Sequence, residues 1–164
     1  RLTAADADLV TEVAPDTPTL AADRALVRRV FGNLLQNALA YGAGSGGRLS
    51  VRVSARPASG GVLFTVEDRG AGVPAEYREL IFRKFQTARL PGALAERPHG
   101  GGSGLGLAFC KLAVEAHGGR VWVQSATADA DFPGAAFHVL LPLAPRAAAQ
   151  PIAAQPVTKF GPAD

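Results

Sequence analysis

The sequence is poor in sulfur-containing residues and has no long apolar run. Its only cysteine is Cys110, so an intrachain disulfide is excluded, which fits a protein of a reducing compartment. We expect Cys110 to be a small side chain packed in the core. No stretch of about 18 apolar residues is present that would span a membrane. The chain lacks methionine and begins at Arg1. We therefore expect a cytoplasmic piece of a longer protein, whose parent could be anchored in a membrane.

Charge is also scarce. Charged residues make up 19% of the 164 residues, the formal net charge is +3, and hydrophobic residues account for 48%. That content is enough for a compact core in one domain. No aromatic-rich basic stripe accompanies the positive charge, so we expect no nucleic-acid partner. Arg24, Arg28 and Arg29 are interpreted as a solvated helix face.

Two asparagines stand one helical turn apart in the first predicted helix. Asn33 and Asn37 occupy positions i and i+4 of one face, and Tyr41 follows one turn later. Amide oxygens suit magnesium, which keeps several waters and completes its shell with substrate phosphates. Such a pair alone is more often exposed or bonded locally. Its meaning therefore depends on the other motifs.

A carboxylate ends a strand-like segment at residues 62–68. By the period of two, Asp68 shares a face with apolar residues. A buried carboxylate without a hydrogen-bond donor is costly. The exocyclic amine of adenine is a suitable donor, and Gly70 and Gly72 would let the backbone approach a flat ring. A simple Asp-x-Gly turn explains the same residues about as well.

A glycine cluster precedes a second amphipathic pattern. The glycines are Gly100, Gly101, Gly102, Gly104 and Gly106. The apolar stripe predicted after them is Leu105, Ala108, Phe109, Leu112, Ala113 and Ala116, ended by Gly118 and Gly119. Free N–H groups and the dipole at such a helix start favour phosphate.

This cluster is neither of two better-known glycine loops. A P-loop needs a lysine that is absent between Arg97 and Lys111, and Leu107 or Phe109 occupies the third small position of a dinucleotide fingerprint. A flexible linker would also be rich in glycine. The well-patterned helix that follows argues against a linker.

Taken together, these segments resemble the ATP-binding catalytic domain of sensor histidine kinases, within the GHKL or Bergerat-fold ATPases. Four segments in order carry the resemblance: residues 31–41 are similar to the N box, 68–74 to the G1 box, 81–85 to the F box and 102–107 to the G2 box. Residues 114–121 are also similar to the family. The resemblance covers residues 8–143.

The resemblance implies a role for each matching position, with ATP and Mg²⁺ as ligands. Asn37 would coordinate magnesium, Asn33 would assist at the metal and in catalysis together with Lys84, and Asp68 would bind the adenine amine. The other nucleotide-binding positions are Tyr41, Gly70, Gly72, Val73, Phe85, Gly102, Ser103, Gly104, Leu105 and Gly106. Residues 86–103 would form a mobile ATP lid, hinged or packed by Phe82 and Phe85.

Two positions depart from the family pattern. Ala40 stands where the family usually has Lys or Arg before the N-box aromatic residue, and Thr87 stands where kinases often place an Arg. Both changes remove positive charge from the end where phosphoryl transfer is stabilised. The candidate replacements are Arg83, Lys84, Arg89 and Arg97.

The fold class implied is α+β, a two-layer sandwich with a mixed, mostly antiparallel sheet of about five strands and about three helices on one face. We expect strands at 9–13, 19–22, 48–56, 62–68, 120–125 and 135–141, with a turn at 57–61. A helix capped by Asp23 should run to Tyr41. Its predicted core stripe is Leu26, Val30, Leu34 and Ala38, beside Phe31 and Leu35. Residues 1–7 would end a linker, and 144–164 would be a flexible Ala/Pro-rich tail or linker.

The family's reaction is transfer of the ATP γ-phosphoryl group to a histidine on a separate dimerisation domain, for relay to a response regulator receiver domain. His99, His117 and His138 lack the phosphoacceptor pattern and are expected to be structural or surface residues. Asn33 stands where related hydrolases have a glutamate that activates water, which disfavours an ATPase. A nucleotide-sensing scaffold without catalysis is the other alternative, favoured by Ala40 and Thr87.

Overall fold

The computed structural model describes residues 7–42, 49–85, 104–125 and 131–143. Within these ranges lie five strands: β1 (Ala7–Val13), β2 (Leu49–Ala58), β3 (Gly61–Glu67), β4 (Arg120–Ser125) and β5 (Ala135–Pro142). The same ranges contain two α-helices, α1 (Arg24–Tyr41) and α2 (Gly106–Ala116). Two single 3-10 turns, Ala75–Tyr77 and Leu80–Phe82, follow β3. No helix in the described ranges is long and apolar enough to cross a membrane.

The five strands form one mixed sheet in the order β1-β2-β3-β5-β4. β1 runs parallel to β2, and every other neighbouring pair is antiparallel. Both α-helices pack on one face of this sheet. The arrangement confirms the predicted α+β class and its mostly antiparallel sheet.

Helix α1 begins and ends where its sequence predicts. The Asp23 Oδ1 atom accepts hydrogen bonds from the N–H groups of Ala25 (2.8 Å) and Leu26 (3.0 Å), which caps the first turn. At the other end the Gly42 N–H donates to the Ala38 carbonyl oxygen. Three members of the predicted stripe are fully buried, namely Val30, Leu34 and Ala38. The cap and the 3.6-residue period together explain this helix.

The core lies between the helices and one face of the sheet. Its largest fully buried side chains are Leu34, Leu49, Val62, Val66, Val114 and Val139. The opposite face of the central strands carries polar residues, among them Arg52, Thr65, Glu67 and His138. One apolar and one polar face are what the alternation along an antiparallel strand produces.

One predicted strand is absent, and the predicted end of β2 is wrong. Residues 19–22 are not a strand: Pro15 and Pro18 remove N–H donors just before them, and Leu20 packs on the core without pairing. β2 continues through Pro57 to Ala58, so the hairpin turn is shorter than the predicted 57–61. Pro57 is tolerated because pairing with β1 ends at Ala55, which leaves that side of β2 without a partner strand in the described chain.

The predicted buried stripe of α2 is wrong in part. Leu105, Leu112 and Ala116 are exposed, and Leu112 retains 58% of its accessible surface. The buried residues are Ala108, Cys110, Ala113 and Val114. Small side chains face α1 because the two helices pack closely there, and that rotates the buried face away from the larger leucines. Cys110 is fully buried, as predicted for a packed thiol.

Candidate functional site

Asp68 lies buried just after β3, with 4% of its surface accessible. Its Oδ1 atom accepts hydrogen bonds from the backbone N–H groups of Gly70 and Ala135, both at 2.9 Å. Among the described residues, its Oδ2 atom has no hydrogen-bond partner. Burial raises the pKa of this carboxyl, and the two backbone donors oppose that shift. One oxygen is thus held by the fold while the other can accept a hydrogen bond.

The end of α1 packs directly on the loop that follows Asp68. The Arg69 N–H donates to the Gly42 carbonyl oxygen at 3.2 Å. A Cβ atom at position 70 would collide with the Tyr41 carbonyl oxygen, so only glycine permits this approach. The N-box-like and G1-box-like segments are therefore brought together, as the sequence predicts.

The far end of the same loop is held by β4. Gly72 has a φ of 72°, which favours glycine, and it is followed by the buried Val73. The Ser125 hydroxyl lies 2.5 Å from both the nitrogen and the carbonyl oxygen of Val73. The Arg78 Nε atom donates to the same carbonyl oxygen at 3.2 Å. The backbone polar groups of Val73 are thus occupied by protein.

Asn33 marks a second place where α1 contacts a motif. Its Nδ2 atom donates to the Gly106 carbonyl oxygen at 3.2 Å, at the start of α2. Its side chain also faces the buried Cys110 thiol, whose pKa burial raises to about 11, with a smaller opposing effect from Asn33. Asn33 and Tyr41 are eight residues apart on α1, a rise of about 12 Å along the helix. Helix α1 therefore links two ends of an extended site.

The remaining predicted residues of the second end are more exposed. Asn37 is half-buried on α1, and Lys84 and Phe85 are exposed, Phe85 with 67% of its surface accessible. Phe85 has a φ of 60°, and its N–H donates to the Gly104 carbonyl oxygen at 3.3 Å. The F-box-like and G2-box-like segments thus meet. Phe82 is buried and packs edge-on against Phe137.

Several predicted positions fall outside the described residues. They are Gly102, Ser103, the lid at 86–103 with Thr87, Arg89, Arg97 and His99, the linker residues 1–6 and the tail 144–164. Their assignments stay predictions.

The two described histidines are both hydrogen-bonded in the fold. The His117 Nε2 atom accepts from the Asp23 N–H at 3.0 Å, and its Nδ1 atom lies 2.7 Å from the Ala113 carbonyl oxygen. His138 bonds Thr65 and Gln124 and stacks on Trp122. Both rings are bonded to other parts of the fold, which agrees with the structural or surface role expected from the sequence.

Comparison with known proteins identifies the family. Residues 22–145 match the family model described as histidine kinase-, DNA gyrase B- and HSP90-like ATPase. This match covers more than half of the chain. The chain belongs to this family of ATPases.

Sensor kinases are among the relatives of this family member. The chain is 37% identical over 133 residues to the alginate biosynthesis sensor protein KinB of Pseudomonas aeruginosa. The aligned region covers 80% of this chain and 20% of KinB. The mycobacterial sensor histidine kinase MprB has a solved structure that superposes with a TM-score of 0.66 at 32% identity, covering 87% of this chain and 85% of that one.

A second similar solved structure is much longer than this chain. Full-length ShkA, solved in complex with AMPPNP, is 32% identical and superposes with a TM-score of 0.65, covering 87% of this chain and 27% of ShkA. The chain therefore spans about a fifth of KinB and about a quarter of ShkA. It corresponds to one domain of such proteins.

Sequence reasoning missed the residues that hold the loop at 68–73 in place. Ser125 and Ala135 carry no motif, because one acts through a hydroxyl from a distant strand and the other through its backbone N–H. Arg52 and Glu67 were also missed: they form a two-pronged ion pair of 2.8 and 3.0 Å on the polar face of the sheet. Their cross-strand register, Arg52 opposite Glu67, is the only signal, and it requires the pairing to be known.

Proposed function

We propose that this domain binds Mg-ATP and donates the γ-phosphoryl group to a histidine on a separate dimerisation domain, for relay to a response regulator receiver domain. The observation that carries the proposal is the geometry of Asp68. One oxygen of its buried carboxylate accepts from two backbone N–H groups, and the other is available beside the loop that contains Gly70 and Gly72. The chain that carries this geometry belongs to the ATPase family.

This geometry supports selection of adenine. The Oδ2 atom of Asp68 accepts a hydrogen bond from the exocyclic amine of the base. Guanine presents a carbonyl oxygen at that position, so two acceptors would face each other in a buried place. Gly70 and Gly72 keep side chains away from the face of the ring. The AMPPNP bound to the similar protein ShkA makes an adenine nucleotide the natural ligand to test.

The residues of the other end suit magnesium. The described residues contain no group of three or more His, Cys, Asp or Glu side chains that could cage a metal. Asn37 and Asn33 offer amide oxygens, which are hard ligands of the kind magnesium combines with water and phosphate oxygens. Since the Asn33 Nδ2 atom donates to Gly106, its Oδ1 atom is the one that would bind the metal. Bound magnesium would neutralise phosphate charge.

The chemistry requires positioning more than acid-base catalysis by this chain. A neutral imidazole of the acceptor histidine attacks the γ-phosphorus, an N–P bond forms, the bond to the β-γ bridging oxygen breaks, and ADP leaves while the imidazole proton passes to solvent. Lys84 supplies positive charge for the transferred group. No general base is needed, which agrees with an amide at position 33.

The direct test uses ATP labelled at the γ-phosphate together with the parent protein's dimerisation domain. We expect label on that domain and none on a variant lacking its acceptor histidine. An Asp68→Asn variant of this chain should transfer far less label at an ATP concentration that half-saturates the original chain.

Two other results would replace the proposal. Steady release of labelled phosphate without the partner would indicate an ATPase. Binding without transfer or release would indicate a nucleotide-sensing module, the second candidate, which the uncharged Ala40 on α1 favours.

A further inference from the structure

Ser125 lies at a position that no nucleotide motif marks. It is the last residue of β4, and its hydroxyl contacts Val73, which is 52 positions earlier in the chain. The hydroxyl oxygen accepts from the Val73 N–H, and its proton is donated to the Val73 carbonyl oxygen. A single side chain therefore satisfies both backbone groups of a buried loop residue, a type of group that is costly to leave unpaired.

The neighbouring strand anchors the other end of the same loop. Ser125 pairs with Ala135 in the register of β4 and β5. The Ala135 N–H donates to Asp68, which begins the loop, while Ser125 holds Val73, which ends it. One rung of the sheet thus fixes both ends of the segment against which the adenine ring is proposed to lie.

Close packing leaves little room for this segment to shift. A Cβ atom at Gly72 would lie 2.8 Å from the Ser125 Oγ atom and 3.3 Å from the Gly134 carbonyl oxygen. The backbone of Gly72 therefore rests on the strand ends. Ala71, between the two anchors, is exposed. Without the hydroxyl, the Val73 N–H would have no partner among the described residues.

We infer that Ser125 is a positioning residue of the nucleotide site, which holds the Gly70–Val73 backbone in the conformation that receives the base. This inference rests on the proposed function. Ser125 acts through Val73 and Gly72 and not on the phosphates. Its loss should weaken nucleotide affinity, and raise the KM for ATP, while the transfer rate at saturating ATP stays within about twofold of the original.

The experiment compares Ser125→Ala with Ser125→Thr and Ser125→Val, two variants whose new side chains have nearly the same shape. Calorimetry with Mg-ADP and Mg-AMPPNP should show about a tenfold loss of affinity for Ser125→Ala, equal for both nucleotides, since one buried hydrogen-bond partner is left unpaired. Ser125→Thr keeps the hydroxyl and should bind within about threefold of the original chain. Ser125→Val, which differs from it by the hydroxyl alone, should bind like Ser125→Ala.

Thr65→Val provides the matched control. The Thr65 hydroxyl is also in a strand and is bonded to His138 at 3.1 Å, but on the opposite face of the sheet. We expect a loss of thermal stability comparable with that of Ser125→Ala and unchanged nucleotide affinity. This comparison separates positioning of the site from a purely structural effect.

Two results would overturn the inference. One is unchanged affinity in both Ser125→Ala and Ser125→Val; the other is an equal loss of affinity in Thr65→Val. If the unaltered chain bound neither nucleotide, the proposed function would fail and this inference with it. If the unaltered chain bound both nucleotides and the Ser125 variants bound them equally well, the inference would fail and the proposed function would stand.

Discussion

The two ends of the site are built differently. At the proposed base end, Asp68 is buried and bonded to the backbone of Gly70 and Ala135, and the loop after it is bonded to α1 and to β4. At the proposed phosphate end, Lys84 and Phe85 are exposed, Asn37 is half-buried, and the Asn33 side chain donates to the Gly106 carbonyl oxygen.

This difference teaches where selectivity and chemistry are encoded. The proposed base end is organised by the sheet in the absence of a ligand, so we expect it to discriminate bases at little reorganisation cost. The proposed phosphate end presents amides and a cation, and among the described residues only the bond from Asn33 to Gly106 ties these side chains to the fold. Under the proposed function, we expect the metal and the phosphates to complete its geometry. Substitutions at each end separate these two contributions.

The largest effect should come from the carboxylate at the base end. In Asp68→Asn, the amide oxygen can still accept from Gly70 and Ala135, but an NH₂ group then faces the amine of adenine. We expect about a 100-fold loss of affinity for Mg-ADP by calorimetry, with the fold retained. Affinity within about threefold of the original would contradict the preformed base site.

Glu67, the carboxylate next to Asp68, should affect stability and not nucleotide affinity. Glu67 lies on the other face of β3 and is paired with Arg52. Glu67→Gln should lower the free energy of unfolding by about 2 kcal/mol, because a charge-assisted, largely buried pair is lost. Denaturant unfolding measures this change, and Mg-ADP affinity should stay unchanged. A loss of binding as large as that in Asp68→Asn would show that the site depends on general stability.

The phosphate end should respond through the metal. We expect Asn37→Ala to reduce Mg-ADP affinity by about tenfold when magnesium is present. With the metal removed by EDTA, the variant and the original chain should bind ADP equally. An equal loss in both conditions would place Asn37 in contact with the base or the fold instead.

The smallest effect concerns the polar face of the sheet. Burial lowers the pKa of His138, with Glu67 opposing and Arg56 supporting that shift. The unfolded chain therefore binds this proton more readily than the folded one, so stability should rise as pH increases towards the unfolded value of 6.5. His138→Gln should flatten that rise in thermal unfolding between about pH 5 and 7. Unchanged pH dependence would contradict this account, and nucleotide affinity should not respond.

Sequence reasoning reached the parts of the fold that local periodicity encodes. The Asp23 cap and the spacing of Val30, Leu34 and Ala38 predicted α1 from end to end. The predicted stripe of α2 is right at Ala108 and Ala113 and wrong at Leu105 and Leu112, which are exposed, because hydrophobicity favours leucine while close helix packing selects small side chains. At Pro57 the sequence predicts a turn, because only the strand register shows that β1 has ended beside it.

What the amino-acid sequence determined by itself is the chemistry: a carboxylate followed by glycines, two amides one helical turn apart, and a glycine-started helix. These depend on residue type and short spacing, which local backbone geometry preserves. Only the tertiary structure decided which atoms of those groups are occupied. The Oδ1 atom of Asp68 and the backbone of Val73 are bound by Ala135 and Ser125, residues more than 50 positions away. Such contacts form when strands pair, and no local pattern records them.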